Sequence, residues 1–101
     1  MSGAASPKIT ATCEAIAGEL DARKLRLCAE IDAYAPAAAR DAHFNSLIEQ
    51  RAELFAELGR FAALRAEYPQ AVTLRTFVLN SRSLDAEIRQ RLLAALHDVN
   101  T

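Results

Sequence analysis

Apolar residues recur at steps of three and four over the first two thirds of the chain, the spacing of one face of an α-helix. Ser6-Pro7 is a favourable helix start, and Ala35-Pro36 separates two such runs. The first run contains Ile9, Cys13, Ile16, Leu20, Leu27, Ile31 and Tyr34, and the second contains Phe44, Leu47, Ile48, Leu54, Phe55, Leu58, Phe61 and Ala62. The pattern predicts two long amphipathic helices, over residues 7 to 34 and 37 to 67, packed as an antiparallel hairpin.

The segment 71–79 fits two periodicities. Leu74, Phe77 and Val78 suit a helix, whereas Val72, Leu74, Thr76 and Val78 alternate as in a strand. We expect a short helix, because a lone strand would have no partner. Residues 80–83 then predict a turn, and a final helix carries Leu84, Ile88, Leu92, Leu96 and Val99. The predicted fold is therefore all-α, one helical domain over residues 7–101 behind a disordered segment 1–6.

The charge balance limits the classes of partner. The 101 residues include 12 basic and 13 acidic side chains, so no global positive field attracts nucleic acid. No apolar run is long enough for a membrane span, and the N-terminus lacks a signal-peptide pattern. We expect a cytoplasmic protein without membrane contact. The abundance of alanine and arginine suggests a bacterial or phage origin.

Three cations interrupt the apolar stripes. Counting 100° per residue, Arg51 and Arg65 lie within about 20° of Leu58, and Lys24 lies about 40° from Leu20. A hairpin turning near residues 35–38 would bring Lys24 level with Arg51. Their charged heads could extend to solvent or pair with an acid from this chain or a partner. Alternatively, the three cations could bind a carboxylate, a phosphate or an acidic partner helix.

No pattern predicts catalysis, a metal or a cofactor. The chain lacks a glycine-rich phosphate loop and a nucleophile elbow. His43 and His97 have no second ligand at helical spacing, and Cys13 and Cys28 are about 22 Å apart if one helix carries both. We expect free thiols and no bound metal.

Residues 47–60, Leu-Ile-Glu-Gln-Arg-Ala-Glu-Leu-Phe-Ala-Glu-Leu-Gly-Arg, resemble part of the long helix of the all-helical chorismate mutases. The resemblance covers about a seventh of the chain. In that family an arginine at the position of Arg51 helps to hold a dicarboxylate, whereas Ala62 stands where the family pattern has a lysine. The resemblance implies a small carboxylate-binding enzyme as an alternative function.

The C-terminal third has the approximate dimensions of a helix-turn-helix. Arg82, Arg89 and Arg91 are its candidate nucleic-acid contacts. Asp85 and Glu87 argue against that role, since they occupy the first turn of the helix that would approach DNA. A DNA-binding regulator is the second alternative.

The favoured prediction is a non-enzymatic helical protein–protein interaction module, such as an adaptor, a chaperone, an inhibitor or an assembly subunit. Each long helix has an apolar stripe wider than one neighbour covers, and large exposed apolar patches are rare on soluble monomers. We therefore expect a homodimer or a complex with a protein partner.

Overall fold

The computed structural model describes residues 7–34, 41–67 and 69–97. These residues form four α-helices and no strand: α1 (Pro7–Ala33), α2 (Ala42–Ala66), α3 (Ala71–Asn80) and α4 (Ala86–His97). The all-α prediction is confirmed, and the ambiguous segment 71–79 is helical. The predicted disordered segment 1–6 and the predicted hairpin turn near residues 35–38 lie outside the described residues.

Helices α1 and α2 pack as the predicted antiparallel hairpin. Arg23 donates a hydrogen bond to Gln50 at 2.6 Å, whereas Glu14, nearer the start of α1, pairs with Arg65 near the end of α2. The second helix begins after Asp41, whose carboxylate accepts a hydrogen bond from the backbone N–H of Phe44 at 3.0 Å. The buried residues between the helices are Ile9, Cys13, Ile16, Leu20, Leu27 and Ile31 from α1 and Leu47, Leu54 and Phe61 from α2.

Helices α3 and α4 pack on each other and cover one end of the hairpin. Phe77 of α3 lies against Phe61 of α2, with ring centroids 5.1 Å apart, and α4 returns along α1. A helix of 12 residues is about 18 Å long, whereas the 27 residues of α1 span about 40 Å. The molecule, which measures 59 × 24 × 16 Å, therefore has a four-helix end and a two-helix extension formed by residues 24–34 and 42–53.

The structure corrects the predicted inward face of α2. Phe55 is 49% exposed and Ala62 is exposed, although both were expected in the core. Each lies about 80 to 100° around the helix from the completely buried Leu54, at the edge of the inward face. The inward face of α2 is consequently narrower than the apolar pattern predicts.

Candidate interaction face

The most deeply buried charged group described is Glu57 of α2, with no exposed surface. One carboxylate oxygen accepts a hydrogen bond from the Ser81 hydroxyl at 2.5 Å, and the other accepts the backbone N–H groups of Arg82 and Ser83 at 2.9 and 3.2 Å. These three donors compensate the carboxylate for the loss of water. Glu57 thus attaches α2 to the turn between α3 and α4.

Arg89 of α4 binds the backbone carbonyl groups of the same turn. Its guanidinium donates to the carbonyl oxygens of Ser81 and Leu84 at 2.9 and 3.2 Å. The Ser81 hydroxyl also accepts the backbone N–H of Leu84 at 3.2 Å. In this five-residue connection, the Glu57 carboxylate therefore accepts from backbone N–H groups and the Arg89 guanidinium donates to backbone carbonyl groups. We call the arrangement the turn clamp (Glu57, Ser81 and Arg89).

Sequence analysis missed Glu57, although a signal was present. Leu47, Leu54, Glu57, Phe61 and Leu64 follow each other at multiples of three and four residues, which places Glu57 in the inward stripe. An acid at such a position requires buried donors. The Ser-Arg-Ser turn at residues 81–83 supplies them, but the pairing spans 24 residues of sequence and depends on the tertiary fold.

A second apolar stripe runs along α2 and faces away from the turn clamp. Its residues recur at steps of four, three, four, three, four and four residues, the spacing of one face of a helix. We call it the open seam, and it consists of Phe44, Ile48, Arg51, Phe55, Leu58, Ala62 and Ala66. Phe55 and Glu57 point about 160° apart around the helix, so the side that binds the turn cannot also cover the open seam.

Two surface cavities confirm that α3 and the turn occupy the opposite side of α2. A cavity of about 420 Å³ lies between α2 and α3, and one of about 570 Å³ lies beneath the turn. Their α2 lining residues are Ser46, Glu49, Gln50, Ala52, Glu53, Ala56, Glu57, Arg60 and Leu64, none of which belongs to the open seam. Within the described residues, the open seam faces neither α3 nor the turn.

Arg51 belongs to the open seam, and Lys24 lies beside it on α1. Arg23 contacts Gln50, so the neighbouring residues Lys24 and Arg51 are at nearly the same level of the hairpin. Both are partly buried, and neither forms a hydrogen bond or ion pair with another described residue. Neither lines any of the cavities described here. Among the described residues, the two cations therefore have no acidic partner.

Arg65 differs from these two cations because Glu14 neutralises it. It lies by a third cavity of about 350 Å³, which Ile9, Cys13 and Ala66 also line. Burial raises the pKa of the Cys13 thiol, while nearby Arg65 opposes that rise and Glu14 adds to it. The structure therefore separates Arg65 from a common site with Lys24 and Arg51.

The three candidate nucleic-acid contacts have different surroundings. Arg82 and Arg91 are exposed, whereas the partly buried Arg89 donates to the backbone of the turn clamp. Helices α3 and α4 pack on each other on either side of the turn. Of the three arginines, Arg89 has a structural partner within the chain.

None of the described helices is long and apolar enough to cross a membrane. Among the described residues, no group of three or more His, Cys, Asp or Glu side chains is placed to hold a metal ion, and Cys13 and Cys28 are free thiols. Comparisons of the chain with protein families, curated proteins and solved structures find no match.

Proposed function

We propose that this chain is a helical protein–protein interaction module that binds its partner through the open seam. The observation that carries the proposal is a seam of helix–helix spacing that includes the half-exposed Phe55. This function includes adaptors, chaperones, inhibitors and assembly subunits, and it requires no catalytic residue.

The energetics favour coverage of the open seam. Burying a phenylalanine side chain contributes roughly 1.5 to 3 kcal/mol, and aromatic anchors dominate many protein interfaces. Phe55 is flanked by Ile48 and Leu58, which are partly buried and packed against the core. A partner helix laid along the open seam would therefore contact mainly Phe55, Ala62 and Ala66, which are the exposed residues of the seam.

The two alternative functions have weaker support. A carboxylate-binding enzyme would need a cavity around Arg51, but Arg51 lines none of the cavities described here. A DNA-binding regulator would need several free arginines on α4, but of its two arginines Arg89 donates to Ser81 and Leu84 and Arg91 alone is exposed. Lys24 and Arg51, which have no ion-pair partner among the described residues, are equally well explained by an acidic group on a partner protein.

Site-specific photo-crosslinking tests the proposal. A benzophenone amino acid at position 55, introduced into the full chain in its native host, should give a covalent adduct of one discrete mass. The matched control is position 72, because Val72 is 55% exposed but lies outside the open seam. Equal or absent crosslinking at both positions would overturn the proposal.

A further inference from the structure

The cavity of about 570 Å³ beneath the turn between α3 and α4 carries charges of both signs. Its acidic side chains are Glu49 and Glu53 of α2, and its basic side chains are Arg23 of α1 and Arg82 of the turn. We call it the charged cavity. It shares no residue with the open seam, so a ligand bound here would leave the seam uncovered.

The opposite charges of the charged cavity do not neutralise one another. Arg23 donates a hydrogen bond to the Gln50 side chain at 2.6 Å, but it pairs with no described acid. Glu53 forms its ion pair with Arg60, which does not line this cavity. The other two charged groups of the cavity have no ion-pair partner among the described residues. Acids and bases therefore line one space without satisfying each other.

Ser83 adds a buried hydroxyl without a partner. The residue is 8% exposed, and its backbone N–H donates to Glu57 and to the Ser81 hydroxyl. Its own hydroxyl forms no hydrogen bond with another described residue. Buried polar side-chain atoms in folded proteins nearly always have a partner. Because Ser83 lines the charged cavity, a bound molecule can supply that partner.

We propose that the charged cavity binds a small zwitterion of the α-amino acid class, either a free amino acid or a short peptide. A simple anion would meet Glu49 and Glu53, and a simple cation would meet the two arginines. A molecule with one ammonium and one carboxylate group matches the two acids and two bases of the lining. The ammonium group would lie against α2, and the carboxylate would lie against Arg82 and Ser83. This site does not depend on the protein–protein interaction function.

The positions of the charges along α2 distinguish the two kinds of zwitterion. The turn is nearly level with Glu57, because the N–H groups of Arg82 and Ser83 donate to its carboxylate. Glu49 therefore lies about 12 Å from the level of the turn, and Glu53 lies about 6 Å from it. Extended peptide spans about 3.5 Å per residue, so a tripeptide reaches from Glu49 to the turn. A free amino acid reaches only from Glu53.

Titration of the isotope-labelled full chain with triglycine, followed by nuclear magnetic resonance, tests the proposal. We expect saturable shifts of the amide signals of residues that line the charged cavity. N-acetyl-triglycine and triglycine amide each lack one of the two charges and should bind at least about tenfold more weakly. Glycine is the length probe. Weaker binding of glycine, with triglycine affinity reduced by Glu49→Gln, would assign the peptide, and equal binding that is insensitive to Glu49→Gln would assign the free amino acid.

Arg82→Ala tests the carboxylate end of the site. Only the backbone of residue 82 takes part in the turn clamp, so the variant should fold, but it should weaken triglycine binding by about fivefold. Arg91→Ala is the matched control, because Arg91 is also exposed but lines none of the cavities described here. The absence of saturable shifts at the charged cavity, blocked peptides that bind as tightly as triglycine, or equal effects of the two variants would each overturn the proposal.

Discussion

At the scale of single residues, the turn clamp joins three helices through one acid and one base. Glu57 accepts from Ser81, Arg82 and Ser83, and Arg89 donates to Ser81 and Leu84. Removing one partner of such a buried set leaves the other groups without water or a hydrogen-bond partner, which costs more than the bond itself contributes.

Glu57→Gln should lower the free energy of unfolding by about 1 to 3 kcal/mol, because the amide nitrogen cannot accept the donors of the turn. Urea denaturation followed by circular dichroism measures the change. Glu53→Gln is the control, since Glu53 forms an exposed ion pair with Arg60 at 3.4 Å and its loss should cost less than about 1 kcal/mol. Equal costs for the two variants would show that the clamp is not a major source of stability.

Cys13 gives a pH dependence whose direction follows from its environment. Burial raises the pKa of its thiol above the ordinary value of 9.0. In alkaline solution the unfolded chain therefore loses this proton before the folded chain does, and stability falls as pH rises past the unfolded pKa. The urea midpoint should decline above about pH 9. The Cys13→Ala variant should show a smaller decline, and an unchanged decline would assign it to other groups such as Tyr34.

At the scale of elements, α2 shows what the sequence could predict and what it could not. Its helical state, its Asp41 start and its pairing with α1 follow from local periodicity and capping. The division of its apolar residues into two seams does not, because a helix with a wide apolar arc is compatible with several arrangements of neighbours. The apolar pattern therefore predicts Phe55 in the core, whereas α3 and the turn lie on the other side of α2.

For a related reason, only part of the arrangement of Lys24, Arg51 and Arg65 could be predicted from the sequence. The relative position of Lys24 and Arg51 along the hairpin depends only on where the chain turns, and Pro36 marks that place in the sequence. The pairing of Arg65 with Glu14 depends on side-chain reach across the two helices, which periodicity does not specify. The contact between Glu57 and the turn depends on how α3 folds back. Contacts that depend on how the helices are arranged in space could therefore not be predicted from the local sequence pattern.

At the scale of the whole molecule, the contrast between the four-helix end and the two-helix extension predicts uneven stability. Residues of the extension are supported by one neighbouring helix, whereas Leu20, Leu54 and Leu74 are completely buried among several. Regions with fewer buried contacts open at lower free energy than the global transition.

Hydrogen exchange followed by mass spectrometry should therefore show faster exchange in peptides from residues 24–34 and 42–50 than in peptides from residues 9–20 and 54–64, by at least about tenfold. Uniform protection along both long helices would contradict the division into two ends.

The turn clamp also has an evolutionary consequence. It uses the side chains of Glu57, Ser81 and Arg89 but only the backbone of residue 82. Substitutions at the three clamp positions should therefore occur together among descendants of this gene, whereas the clamp itself places no restriction on position 82. Among relatives of this chain, such coordinated change would identify the clamp in sequences too divergent to align by their alanine-rich helices.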